Sequence, residues 1–310
     1  MMGGSERLRV ADAPRWNPVD SLAPEAWKPW LRLGRYDRPI GSWLLMWPCW
    51  WSAALAAHAA GRTEQLPWHL LLFFVGAFVM RAAGSIWNDI LDRKIDARVE
   101  RTKLRPLASG QISVKAALAF AIAHSLLGLL ILVQFNAFAI ALGCLSLVPV
   151  AAYPLMKRFF SMPQAVFGLC FAWGALMGWA AVFGSLSAAP VLMYWGAYCW
   201  CIGYDTVYGH QDQRDDAIIG VRSTSRTFGR YSRAIIAGLY GGAVLLVGLA
   251  LWQGGASWPG YAGLAAFAAH LAQQVVRLDP EDPPLCLRLF RSNRDAGCLL
   301  FLGLAADLVI

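Results

Sequence analysis

The chain has 310 residues, 58% of them hydrophobic and only 15% charged, against an apolar content of roughly 45–50% in ordinary soluble domains. That composition excludes a soluble globule. The formal charge of +8 reads as topogenic rather than as a nucleic-acid footprint, because what matters in a membrane chain is where Lys and Arg fall; no nucleic-acid partner is expected.

Residues 1–34 read as a cytoplasmic N-terminal tail, and 35–310 as one membrane domain. The first 38 residues carry Glu6, Asp12, Asp20 and Glu25 and no apolar core long enough for a signal peptide. Acidic residues argue equally against a transit peptide. The Trp27-Lys28-Pro29-Trp30-Leu31 stretch reads either as a headgroup-surface segment or as disordered chain. After Pro39, apolar stretches recur near 39–60, 66–87, 116–134, 136–154, 163–183, 189–207, 232–252, 258–275 and 296–310. A bilayer crossing takes roughly 17–25 residues, so these predict about nine spans. The stretches are continuously apolar rather than alternating, and backbone groups in lipid must be satisfied internally, so the spans are helices and the fold class is all-α.

Of the 27 Lys and Arg, only Arg62 falls on the side shared by the loops near 61–65, 135, 184–188 and 253–257. The opposite side is therefore cytoplasmic by the positive-inside rule. Trp43, Trp68, Trp87, Trp195 and Trp258 stand near span ends, as an interfacial belt would have them. The charged stretch from Arg277 to Asp295 is expected to be a solvated cytoplasmic loop. None of the seven cysteines forms a CxxC pair, and most lie in apolar spans, where a thiol is a small hydrophobe.

The second span ends in Trp87-Asn88-Asp89-Ile90-Leu91-Asp92-Arg93-Lys94-Ile95-Asp96. Asn88, Asp92 and Asp96 are spaced i, i+4, i+8 and share one helix face. Like charges at that spacing repel, so a cation is wanted, and hard oxygen donors suit Mg²⁺, which completes its shell with water and phosphate oxygens. The sixth span ends in a second version, in which Tyr208, Asp212 and Asp216 repeat the spacing 120 residues later. The offset suggests an internal duplication, with one repeat at about 35–155, a second at about 157–275 and an extra helix at about 296–310. Two such stripes facing one cavity would clamp a diphosphate. Asp89, Arg93, Lys94 and Arg98 read as solvated ion-pairing residues. Lys157 and Arg158, alone in a short loop after Tyr153-Pro154, read as phosphate partners.

These residues resemble the UbiA-type intramembrane aromatic prenyltransferases, and among them the 4-hydroxybenzoate branch of ubiquinone synthesis. The resemblance rests on Arg35-Tyr36-Asp37-Arg38-Pro39-Ile40-Gly41 with Trp47-Pro48, and on Arg81-Ala82-Ala83-Gly84 through Asp96 to Arg105-Pro106-Leu107. It extends to Tyr153-Pro154-Leu155-Met156-Lys157-Arg158 and to Tyr204-Asp205-Thr206-Val207-Tyr208 with Asp212, Asp215 and Asp216. It implies two four-helix bundles around a central cavity with a ninth helix beside them. It implies that Asn88, Asp92, Asp96, Asp212 and Asp216 hold Mg²⁺ and diphosphate and that Lys157 and Arg158 engage the phosphates. The expected substrates are a polyprenyl diphosphate and 4-hydroxybenzoate, with membrane lipid as surroundings and the bacterial inner membrane as location. Asn88 and Tyr208 are expected at the substrate. Arg38 and Arg81 are candidates for the acceptor carboxylate, each as readily a structural ion-pair partner. A sister enzyme acting on haem, a naphthoate or another phenol would share both motifs. A transporter would place its ionisable groups near the bilayer midplane instead.

Overall fold

The computed structural model describes residues 14, 16–100, 102–156, 160–211 and 223–310, and among them the regular structure is helical with no strand. The all-α expectation holds. In chain order the helices are α1 (Pro18–Leu22), α2 (Lys28–Leu33), α3 (Ile40–Ala60), α4 (Leu66–Asp96), α5 (Val114–Leu132), α6 (Ala137–Leu145), α7 (Leu147–Met156), α8 (Pro163–Ala172) and α9 (Gly174–Phe183). They continue with α10 (Ala188–Gly209), α11 (Thr224–Phe228), α12 (Ser232–Gln253), α13 (Trp258–Arg277) and α14 (Pro283–Ala306).

Five stretches are both long and apolar enough to cross a membrane: Leu66–Asp96, Val114–Leu132, Ala137–Met156, Pro163–Phe183 and Thr224–Gln253. The count of nine is not reproduced by this criterion. α3, α10, α13 and α14 have the length, at 21, 22, 20 and 24 residues. Their apolar faces are interrupted by indole rings such as Trp47 and Trp51, by Gln273 and Gln274, or by Arg288 and Arg294. A second departure is the Arg277 to Asp295 stretch, expected as a loop. α14 begins at Pro283, with Asp282 as N-cap accepting a hydrogen bond from the Leu285 amide at 2.9 Å. Its buried residues Cys286, Leu289, Phe290, Asn293, Ala296, Gly297, Leu300 and Leu304 recur at helical spacing, while Arg288, Arg294 and Asp295 are exposed. An average over the stretch hides that periodicity beneath the charge.

The chain forms two compact units. The first comprises Met1–Ser42 and Gly76–Ile131. Its core gathers Leu33, Ile86, Leu107, Ile112, Ala117 and Ala121, with Trp30 and Phe120 edge-to-face at 5.2 Å. Asn17 caps α1 by accepting from the Asp20 amide, and the Asp20 carboxylate takes Arg32 at 2.7 Å, which joins α1 to α2. Burial pushes the Tyr36 phenol up, so it stays protonated and donates to His124 Nε2 at 3.0 Å, while Nδ1 of that ring meets the Phe120 carbonyl at 2.9 Å.

The second unit comprises Trp43–Val75 and Leu132–Ile310. Its centre is aromatic: Trp51, Trp200 and Phe267 meet at ring separations of 5.0–5.8 Å, and Trp51 donates to the Gly297 carbonyl at 2.9 Å. α13 and α14 cross at Gly263 and Gly303, where a Cβ on Gly263 would lie 2.8 Å from the Gly303 Cα. In lipid, where the hydrophobic effect does not drive helices together, such close backbone approach supplies the packing energy.

Candidate functional site

The site begins with the length of α4. At 1.5 Å per residue its 31 residues make a rod of about 46 Å, whereas the hydrocarbon core is about 30 Å thick. Taken from Leu66, the apolar part is used up near Ile86, and the turns from Asn88 to Asp96 emerge as a rigid helical extension. Helical geometry therefore continues through the whole acidic motif. Asn88 is half-buried, while Asp92 and Asp96 are each only 7% exposed.

Asp89, read from sequence as a solvated ion-pairing residue, is 1% exposed. It accepts from Arg35 at 2.6 Å and from Arg105 at 3.2 Å, and Arg105 also donates to Asp96 at 2.8 Å. The buried stripe is thus Ser85, Asp89, Asp92 and Asp96, spaced i, i+4, i+7, i+11, and Asn88 lies along its edge. Two guanidiniums from outside the helix thus pair with Asp89 and Asp96. Arg93 and Lys94 do remain exposed.

Arg35 reaches Asp89 from a strained backbone. It is the only described non-glycine residue in the left-handed region, with φ +64°. It ends α2 in a two-bond cap, its own amide bonding the Arg32 carbonyl at 3.1 Å and the Tyr36 amide bonding the Leu31 carbonyl at 2.9 Å. That position favours glycine, and the same cap at the end of α3 uses Gly61. An arginine held there by a buried ion pair is the kind of outlier that points to a site. Thr102 closes the far end of the motif by donating to the Asp96 carbonyl at 2.9 Å.

Of the acceptor-carboxylate candidates, Arg38 is buried and pairs with Asp37 at 3.1 Å. Arg81 is half-buried, hydrogen-bonds Ser85 one turn on, and lies beside Gly41, where a Cβ would come 3.2 Å from the guanidinium carbon. Arg81, Ser85, Asp92 and Asp96 belong to one unit of the chain.

The second motif belongs to the other unit. Tyr208 lies in the last turn of α10, half-buried, its ring 4.7 Å from that of Phe290. Asp212 and Asp216 lie outside the described residues, as do Lys157 and Arg158. The flanks of the segment bearing the two aspartates are described, and they are stapled together. Thr206 Oγ1 meets Thr224 Oγ1 at 2.7 Å, Ser225 donates to the Gly209 carbonyl at 3.1 Å, and the Thr224 amide donates to Gln164 at 3.0 Å. Sequence reasoning missed Arg35 and Phe290; the first carried a signal in its place within the quoted motifs, and the second carried none.

No three His, Cys, Asp or Glu residues among those described are grouped to cage a metal by themselves. Magnesium does not require such a cage, since it takes one or two carboxylates and fills its shell with water and phosphate oxygens. Asp92 with Asn88, on a helix face outside the hydrocarbon, fits that habit, and Asp96 meets it while sharing its charge with Arg105.

Comparison with known proteins identifies the family. Residues 45–302 match the model of the UbiA prenyltransferase family. The mitochondrial 4-hydroxybenzoate polyprenyltransferase of Drosophila melanogaster is 48% identical over 290 residues, covering 93% of this chain and 73% of that protein. The Rattus norvegicus protein of the same name is 43% identical over 307 residues, covering 97% and 80%. In three dimensions the chain resembles the apo structure of a UbiA homolog from Aeropyrum pernix K1, with a TM-score of 0.72 at 22% identity over 86% of this chain and 97% of that one. A UbiA homolog from Archaeoglobus fulgidus bound to GPP and Mg²⁺ is similar at a TM-score of 0.65 and 18% identity, covering 91% of this chain and 100% of that one.

Proposed function

The chain belongs to the UbiA prenyltransferase family, and from that premise we propose that it transfers a polyprenyl group from polyprenyl diphosphate to the 3-position of 4-hydroxybenzoate, releasing pyrophosphate, in ubiquinone biosynthesis. The observation that carries the reading is the buried carboxylate face on the part of α4 that outruns the bilayer, supported by Arg35 and Arg105. The relatives' shared name and the GPP and Mg²⁺ bound to the Archaeoglobus fulgidus homolog favour the same substrates and cation.

In this reading Asn88, Asp92 and Asp96, with Asp212 and Asp216 of the second motif, hold Mg²⁺ and diphosphate. When bound, the ion draws charge towards the diphosphate oxygens and eases departure of the leaving group. Lys157 and Arg158 donate to the phosphates as the allylic C–O bond breaks and its electron pair leaves on pyrophosphate. The ring carbon ortho to the phenolic oxygen attacks the allylic carbon, and loss of that carbon's proton restores aromaticity. Tyr208 and Asn88 line the reacting groups. Arg38 and Arg81 are the candidates for the acceptor carboxylate.

Nine spans are part of the proposal: the five apolar stretches together with α3, α10, α13 and α14. The two-repeat organisation, 35–155 and 157–275 with the last helix apart, belongs to it as well. The membrane is an inner membrane with the acidic motifs on the side rich in Lys and Arg. The reading from sequence places it in a bacterium, while the relatives' mitochondrial names point the other way. Import of a reporter fused to residues 1–38 by isolated mitochondria would overturn the bacterial placement.

The central test supplies purified protein in lipid nanodiscs with polyprenyl diphosphate, 4-hydroxybenzoate and Mg²⁺. The expected products are 3-polyprenyl-4-hydroxybenzoate and pyrophosphate, with none of either in EDTA. Prenylation of a different acceptor only would sink the acceptor and spare the chemistry. Absence of any covalent product would sink both.

A further inference from the structure

We propose that α14 positions Tyr208 at the end of α10, with Asn293 locking the helix in register and Phe290 holding the tyrosine in place; the inference rests on the prenyl-transfer reading above. Asn293 is fully buried in the second unit. Its Oδ1 accepts from Trp200 of α10 at 2.8 Å, and its Nδ2 faces Gln274 Oε1 of α13 at 3.2 Å and the Leu289 and Phe290 carbonyls at 3.1 and 3.2 Å. Gln274 Oε1 in turn accepts from Tyr240 of α12 at 3.1 Å. One carboxamide therefore ties α14 to α10 and α13, and through Gln274 to α12. In a low-dielectric interior a buried amide that loses its partners is costly, so this network fixes both the rotation and the height of α14.

Phe290 lies three residues before Asn293 and so on the same face. Its ring packs against Tyr208 at 4.7 Å and Tyr204 at 5.9 Å, the two tyrosines standing one turn apart on α10. Tyr204 is fully buried and also meets Trp200 at 5.0 Å. The aromatic chain thus runs from the fixed centre of the unit to the last turn of α10, the turn that launches the segment bearing Asp212 and Asp216. A helix end frays unless something covers it, and the Phe290 ring packs on Tyr208 there. Phe290 is a positioning residue: it acts through Tyr208.

A loosened Tyr208 admits water to the cleaved intermediate. The allylic C–O bond still breaks with its electron pair on pyrophosphate, but a water oxygen bonds the allylic carbon and gives up a proton, yielding prenyl alcohol in place of prenylated phenol. The experiment measures alcohol, prenylated phenol and pyrophosphate for wild type, Phe290→Ala, Phe290→Leu, Phe290→Tyr and Leu300→Ala in nanodiscs. Leu300 is fully buried on the same helix and makes no part of the aromatic chain, so Leu300→Ala reports general destabilisation of α14. For Phe290→Ala we expect the ratio of alcohol to prenylated phenol to rise about tenfold, the scale of effect that small misplacement produces, with KM for the diphosphate little changed. Phe290→Tyr keeps the ring and recovers most of the loss. Leu300→Ala lowers Tm without moving the ratio. An unchanged ratio in Phe290→Ala, or an equal change in Leu300→Ala, overturns the proposal; if Phe290→Ala is not monodisperse, Phe290→Leu decides by the same ratio. A wild type that makes neither product overturns the function and this inference together, which is a distinct result from active wild type with indifferent variants.

Discussion

Asp89 and Asp92 are three residues apart and both buried, and the proposal gives them different roles. Asp89 is enclosed by Arg35 and Arg105. Its removal leaves those guanidiniums buried without their shared carboxylate, so Asp89→Ala is expected to cost about 3–5 kcal/mol of stability. The check is a lowered Tm in detergent. Asp92→Ala, in contrast, should abolish prenyl transfer, read as loss of both prenylated phenol and pyrophosphate in nanodiscs. A variant pair behaving the other way round would mean that the roles are reversed. The sequence displayed the acidic spacing but not which residue was structural, since Asn88/Asp92/Asp96 and Ser85/Asp89/Asp92/Asp96 both describe one helix face. The decision came from Arg35, 54 residues away in sequence, and nothing local to α4 announces it.

Helices in this chain were legible where they are uniformly apolar and obscure where they are amphipathic. α5 and α12 lie within two residues of their expected spans. α14 was not seen before Ala296, because Arg288, Arg291, Arg294 and Asp295 dominate any average over its first half. Its buried positions become meaningful only once α10 and α13 are there to receive them. The contact with α13 makes a prediction of its own: at the Gly263–Gly303 crossing there is no room for a side chain. Gly263→Leu should force the helices apart at a cost of about 1–3 kcal/mol or more, read as a fall in Tm. An unchanged Tm would mean that the crossing is not tight. Asn293→Leu should act similarly on Tm, since it strands the Trp200 indole and takes from Gln274 Oε1 one of its two donors.

For the molecule as a whole, the charge asymmetry predicts topology: in a cysteine-free background, cysteines introduced at positions 94 and 211 should be labelled only from the Lys- and Arg-rich side, and one at position 62 only from the other. Labelling of position 94 from the Arg62 side would refute the topology. Composition and apolar run length by themselves determined that this is an all-helical membrane protein, because lipid leaves only helices or closed barrels to satisfy the backbone and these runs do not alternate as barrel strands do. The motifs around the repeated acidic spacing carried the resemblance to the family, while the spacing itself called for a cation to offset the like charges. What the tertiary structure alone decided is which side chains are enclosed and by what: Asp89 between two arginines, Arg35 strained into a glycine's place, and Phe290 against Tyr208. Burial and pairing depend on residues tens to hundreds of positions apart, and periodicity carries information only about neighbours on one helix.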